Sequence, residues 1–204
     1  MNDNNPPSNL PPVLIYIHGF LSSPESVKAT LTLDYIAQHH PELTVVAPQV
    51  PHYPQDAVAL LEDIVTQYAK RPLRFIGSSM GGYLSTYLVE KFGGKAVLIN
   101  PAVKPFELLT DYLGDHIHPN TKEHFTLTQQ HIEHLQQIDT PTLKVANAYW
   151  ALLQTGDETL DYRQAEQKYQ NSKLTIEQGG DHSFQNYQRH LPEIMRFLLN
   201  SSSL

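Results

Sequence analysis

The sequence predicts an α/β domain: a mostly parallel central sheet flanked by helices, with a small helical lid insertion. Three observations carry this reading. Short apolar, β-branched runs recur along the chain, helical spacings separate them, and one run leads straight into a glycine-flanked serine that opens a helix.

The run at 13–17, between Pro12 and Gly19, has no polar alternation, which suits a strand covered on both faces. Residues 26–38 then place Val27, Leu31 and Tyr35 at helical spacing. A second strand is expected at 43–47, stopped by Pro48. Residues 56–69 form an amphipathic helix with Leu60, Leu61, Ile64 and Val65 on one side, and Asp56 is the expected cap. The third strand, 73–76, runs into Gly77-Ser78-Ser79-Met80-Gly81-Gly82, and the helix after it, 83–92, stops at Gly93-Gly94. Strands follow at 96–99, 149–153 and 174–177, and helices at about 161–170 and 187–199. Strands alternating with helices mean βαβ units, with function at the carboxyl ends of the strands.

The stretch from about 101 to 146 is rich in His, Gln and Thr and shows no clear strand. A structureless loop of that length is uncommon inside a domain, so the expectation is a helical lid over the sheet's carboxyl edge. One domain is expected over 13–199, with disordered tails at 1–12 and 200–204.

Composition narrows the function. Hydrophobic residues are 40% and charged residues 17%, ordinary values for a globular protein. The net charge of −7 and the lack of a Lys/Arg stripe argue against nucleic acid and against an anionic membrane surface. With no cysteine, disulfides, thiolate metal sites and Cys nucleophiles are excluded. The Pro/Asn-rich start lacks the basic and apolar stretches of a signal peptide, so a cytoplasmic protein is expected.

Gly77-Ser78-Ser79-Met80-Gly81 fits G-x-S-x-G. The bare pattern arises by chance in about one chain in fifteen of this length. Here it follows an apolar strand and opens a helix, which is the setting of the nucleophile elbow in the α/β-hydrolase fold. Its glycines leave room for a sharp turn that lifts the serine hydroxyl above the sheet at a helix N-terminus. Spacing selects Ser79 as nucleophile.

That fold orders its residues serine, acid, histidine. Of eleven histidines, His182 follows the last strand and precedes the final helix, so it is the expected base. Asp157 ends the turn after the 149–153 strand and is the expected acid, able to fix the imidazole tautomer. Glu158, Asp161 and Asp181 are nearby competitors. The oxyanion donors are expected to be the backbone N–H groups of Met80 and Phe20, with Gly19 permitting the bend and the His18 side chain structural. Leu21, Tyr53, Pro101, Ala102 and Phe106 follow strand ends and are expected to line the substrate pocket. His124, His131 and His134 lack the frame of a zinc site and read as a polar lid face, so neither metal nor cofactor is expected.

Beyond the elbow, the phrases HGFLSSPESVKA at 18–29, PQVPHYP at 48–54 and NPAVKPFELLTDYLG at 100–114 resemble the small bacterial YqiA-type esterases. So do QTGDETLDYRQ at 154–164 and EQGGDHSF at 177–184. The likeness spans about 13–199; the N-terminal tail and the middle of the lid, about 115–148, depart from it. The resemblance implies an intracellular, metal-free carboxylesterase acting on short-chain aryl esters, with acyl-CoA thioesters as a further substrate class. It carries nucleophile, acid and base onto Ser79, Asp157 and His182. The same residues are also compatible with a C–C hydrolase, a peptidase or a non-catalytic hydrolase-fold binding protein.

Overall fold

The computed structural model describes residues 10–200. Residues 1–9 and 201–204 of the expected tails lie outside that range. Pro11 and Pro12, which the sequence assigns to the tail, are tied to the domain: the Arg71 guanidinium donates to their carbonyls at 2.7 and 2.9 Å.

The chain runs β1 (Val13–Ile17), α1 (Val27–His39), β2 (Thr44–Val46), α2 (Pro54–Gln67), β3 (Leu73–Ser78), α3 (Met80–Phe92) and β4 (Lys95–Ile99). An insertion follows, made of α4 (Pro105–Leu109), the hairpin β5 (Gly114–Ile117) and β6 (His124–Leu127), and α5 (Gln129–Gln137). The last part holds β7 (Tyr149–Gln154), α6 (Tyr162–Lys168), β8 (Lys173–Glu177) and α7 (Leu191–Leu199).

Six strands make one sheet in the order β2-β1-β3-β4-β7-β8, with every pairing parallel. The run at 13–17, read as a strand covered on both faces, is covered: all five residues of β1 are buried, as are all five of β4 and all six of β7. Side chains alternate between two cores, as the period of a strand requires. Val13, Ile15 and Ile17 pack with α2, α3, α6 and the insertion, while Leu14 and Tyr16 pack with α1 and α7. Among the described residues no helix is long and apolar enough to cross a membrane.

Two local expectations are corrected. Asp56 does not cap α2. The helix starts at Pro54, whose fixed φ and missing N–H suit a first helical position, and Asp56 lies in the first turn. The insertion is not wholly helical, because β5 and β6 pair in antiparallel register between its helices. Phe125 and Leu127 alternate inward on β6, but the four residues of HFTL opposite the polar GDHI are too short a signal to read from periodicity. α5 begins with a reciprocal cap between Thr128 and His131 and turns Ile132 and Leu135 into the core.

Candidate active site

Strand β3 ends at Ser78 and α3 begins at Met80, so Ser79 is the whole turn between them. Its backbone sits at φ 54°, ψ −119°, a region that costs a non-glycine residue on the order of 1–3 kcal/mol. Neighbours hold it there. The Ser79 N–H donates to the Ile99 carbonyl at 3.0 Å, and the Ser79 carbonyl accepts from the N–H groups of Gly82 (2.9 Å) and Ala102 (3.0 Å). A Cβ on Gly77 would lie 2.3 Å from the Gly81 carbonyl oxygen, and one on Gly81 would lie 1.9 Å from that of Ile17. The glycine spacing is therefore steric: the helix rests directly on the ends of β1 and β3.

The structure brings Ser79, His182 and Asp157 into one hydrogen-bonded path. His182 Nε2 lies 3.1 Å from Ser79 Oγ, and Nδ1 lies 3.0 and 2.9 Å from the two carboxylate oxygens of Asp157. With Nδ1–H donated to the carboxylate, Nε2 is left as the acceptor facing the serine hydroxyl. The Asp157 side chain is 2% exposed, and its Oδ1 also accepts from the N–H groups of Thr159 (2.9 Å) and Leu160 (2.8 Å). The competing acids are engaged elsewhere. Glu158 accepts the backbone N–H of His182 at 3.0 Å, Asp161 caps α6, and Asp181 Oδ2 accepts from the Gln185 amide.

The turn after β1 approaches the serine from the other side. A Cβ on Gly19 would lie 3.3 Å from Ser79 Cβ, and Leu21 takes a positive φ of 55° to complete the bend. Among the described residues, the N–H groups of Phe20 and Met80 are not donated to any backbone carbonyl, and Met80, at the first helical position, has no carbonyl one turn before it in the helix.

A sequence model of the uncharacterised protein family UPF0227 matches residues 13–199. The chain belongs to that family. It is the YqiA family, to which the sequence phrases point. Solved structures similar to this UPF0227 chain include a hydrolase-assigned protein from Agrobacterium vitis S4, at 16% identity and TM-score 0.75, covering 93% of this chain and 88% of that one. The α/β hydrolase domain-containing protein 10 from mouse is similar at 15% identity and TM-score 0.71, covering 96% and 92%. A carboxylesterase of the thaumarchaeon Nitrososphaera gargenis gives 15% identity and TM-score 0.55, covering 94% and 90%. At such identities the likeness establishes the α/β-hydrolase fold, and the activities named are those of the other proteins.

In the UPF0227 chain a narrow cavity of about 20 Å³ lies against the elbow. Phe20 and Leu21 wall it from the β1 turn, Met80 and Leu84 from α3, and Leu109 and Leu135 from the insertion. Of the residues expected to line a pocket, only Leu21 borders this cavity. Tyr53 stacks on His131 and accepts the Thr126 N–H, Pro101 packs against Gly82, Ala102 bonds to Ser79, and Phe106 packs into the core. Leu109 and Leu135 were missed because the insertion's placement over α3 is a non-local contact with no motif. On its other side Leu21 borders an open cavity of about 860 Å³, with Ser22, Ser23, Gln49 and Lys122 in its wall. A third cavity, about 560 Å³ between the insertion and α6, touches none of Ser79, His182 or Asp157.

His18 is buried and bonded on both ring nitrogens. Nδ1 donates to the Gly19 carbonyl (2.8 Å) and Nε2 accepts the Val50 N–H (2.9 Å), which ties the β1 turn to the segment after β2. His52, whose ring lies tilted against Phe125 at 4.3 Å, lines the small cavity. Burial holds both histidines below their ordinary pKa, against the Gly19 carbonyl at His18 and against Glu123 at His52. Groups whose folded pKa is depressed in this way bind fewer protons folded than unfolded. Their neutral form is fully compatible with the fold above about pH 6.5, and stability falls as pH drops below it. Protonating His18 would also set a second N–H against that of Val50. The melting temperature is therefore expected to decline between about pH 7 and pH 5, and His52→Gln should flatten that slope in a thermal-shift titration. A melting temperature unchanged across the range would contradict this account. The remaining lid histidines do not converge: among the described residues no group of three or more His, Cys, Asp or Glu side chains is placed to hold a metal ion.

Proposed function

We propose that this protein is a serine esterase that hydrolyses esters of very short acyl chains through an acyl-Ser79 intermediate. What supports the reading most is the unbroken path from Ser79 Oγ through His182 to Asp157, built on a serine held at positive φ. Ser79 Oγ attacks the ester carbonyl carbon while His182 Nε2 takes its proton, and the Asp157 carboxylate steadies the imidazolium. The N–H groups of Phe20 and Met80 receive the oxyanion. Collapse breaks the carbon–oxygen bond to the alcohol, which leaves with the proton from Nε2. Water, giving its proton to Nε2, then attacks the acyl carbon and releases the acid and Ser79. A thioester would react by the same steps, with a thiol leaving in place of the alcohol.

The acyl side is small. A cavity of about 20 Å³ is near the space of one water molecule, so a methyl group fits and a longer chain does not without displacement. The open side beyond Leu21 is large and polar, which suits a hydrophilic leaving group. The direct test is stoichiometric labelling of Ser79 by a fluorophosphonate, beside hydrolysis of p-nitrophenyl esters of increasing chain length. Acetate should be preferred. Leu109→Ala, which removes one wall, should raise kcat/KM for butyrate relative to acetate by about 10-fold or more, the discrimination a methylene commands in an apolar pocket. Folded wild type that neither labels nor turns over any ester would end the esterase reading.

A further inference from the structure

The loop that carries His182 does not hold its own shape. Gly179, Gly180, Phe184 and Asn186 all have positive φ, and within 179–186 the backbone makes one internal bond among the described residues, from the Phe184 N–H to the Asp181 carbonyl. Such a backbone persists only where its surroundings over-determine it.

Two buried side-chain amides do so. Asn100, 3% exposed just past β4, donates Nδ2 to the carbonyls of Asp181 (3.0 Å) and His182 (3.2 Å) and accepts the Gln154 N–H on Oδ1 (3.0 Å). Gln154, 3% exposed at the end of β7, accepts the N–H groups of Asp181 (3.2 Å) and Gln185 (2.8 Å) on Oε1. Its Nε2 donates to the Gln185 carbonyl (3.0 Å) and to Glu177 at the end of β8 (2.9 Å). The loop lies flat on this amide: a Cβ on Gly180 would stand 1.9 Å from Gln154 Oε1. Asn100 also sits between Ile99 and Ala102, two of the residues whose backbones hold Ser79.

The geometry assigns Asn100 and Gln154 as a positioning pair that sets His182 relative to Ser79, an inference that rests on the reaction proposed above. One strand end fixes the backbone of the serine, and the same strand end, through an amide, fixes the backbone of the histidine. The amide is specific because one planar group must donate twice and accept once. An aspartate of the same shape would keep the acceptor and turn an oxygen toward two carbonyl oxygens.

Asn100→Asp is expected to lower kcat on p-nitrophenyl acetate by about 100-fold with KM unchanged, the scale of a displacement near 1 Å. Fluorophosphonate labelling of Ser79 should slow by the same factor. In a His182→Ala background the substitution should change neither rate, since the pair acts through His182. Gln154→Met, which removes the contacts from the other side, should repeat the pattern. Wild-type kcat in either folded variant, or a loss that multiplies with His182→Ala, overturns the assignment. Failure of both variants to fold overturns it too, by giving the pair a purely stabilising role. Wild type that does not label at Ser79 would instead fail the parent reaction, and the pair's role with it.

Discussion

Ser79→Ala should lower kcat for p-nitrophenyl acetate on the order of 10⁶-fold, leaving only the acceleration that binding and the oxyanion donors supply. The magnitude follows from the number of steps that use one oxygen. In the proposed reaction Oγ forms the acyl bond in the first half and is the leaving group in the second, so its removal deletes the covalent route altogether. The fold should hardly notice. Ser79 Oγ has His182 as its hydrogen-bond partner, while the strained backbone is held by Ile99, Gly82 and Ala102, which alanine leaves in place. Steady-state kinetics and a thermal melt on the same preparation separate the two effects. Retention of more than about a tenth of the activity would exclude Ser79 as nucleophile, a loss of about 1.4 kcal/mol being too small for a covalent role.

Gly81→Ala should have the largest effect on the fold itself. The added Cβ would meet the Ile17 carbonyl at 1.9 Å for oxygen and 2.6 Å for carbon, and the His18 carbonyl oxygen at 2.7 Å. These are backbone atoms at the end of a central strand, with no rotamer to escape into. Helix α3 must therefore leave β1, taking Met80 and Ser79 with it. A loss of about 4–5 kcal/mol is expected, or a fall of about 10–20 °C in the melting temperature of a chain this size. Gly93→Ala is the control. Gly93 has φ 80° and ψ −175° but nothing within 4 Å of its missing Cβ, so the cost should be only the backbone penalty, on the order of 1–3 kcal/mol. Equal melting temperatures for the two variants would refute the steric account of the elbow.

Much of this was legible in the sequence where the cause is local. The runs in β1, β4 and β7 carry no polar alternation because both faces are covered, and that shows in composition alone. Gly77, Ser79 and Gly81 are legible because two close approaches and one positive φ fall within five residues. His182 and Asp157 follow from their places after β8 and β7, and the structure sets them within hydrogen-bonding distance. What stayed hidden depends on contacts between distant segments. Leu109 and Leu135 look like ordinary core residues of a lid until α3 is beneath them. Asn100 and Gln154 look like unremarked polar residues at strand ends until the loop at 179–186 settles on them. The hairpin β5–β6 was masked by its brevity, and Asp56 was a plausible cap displaced by Pro54 two residues earlier.

The sheet order has a consequence for how the site comes into being. Strands β1 to β4 are contiguous in sequence and occupy one side of the sheet, so a growing chain can assemble Ser79 and its elbow before β7 exists. Asp157 and His182 arrive only with β7 and β8, and His182 lies 103 residues beyond the serine it meets. The path from serine to carboxylate therefore needs both halves of the sheet, and Ser79 on its elbow alone has neither base nor acid beside it.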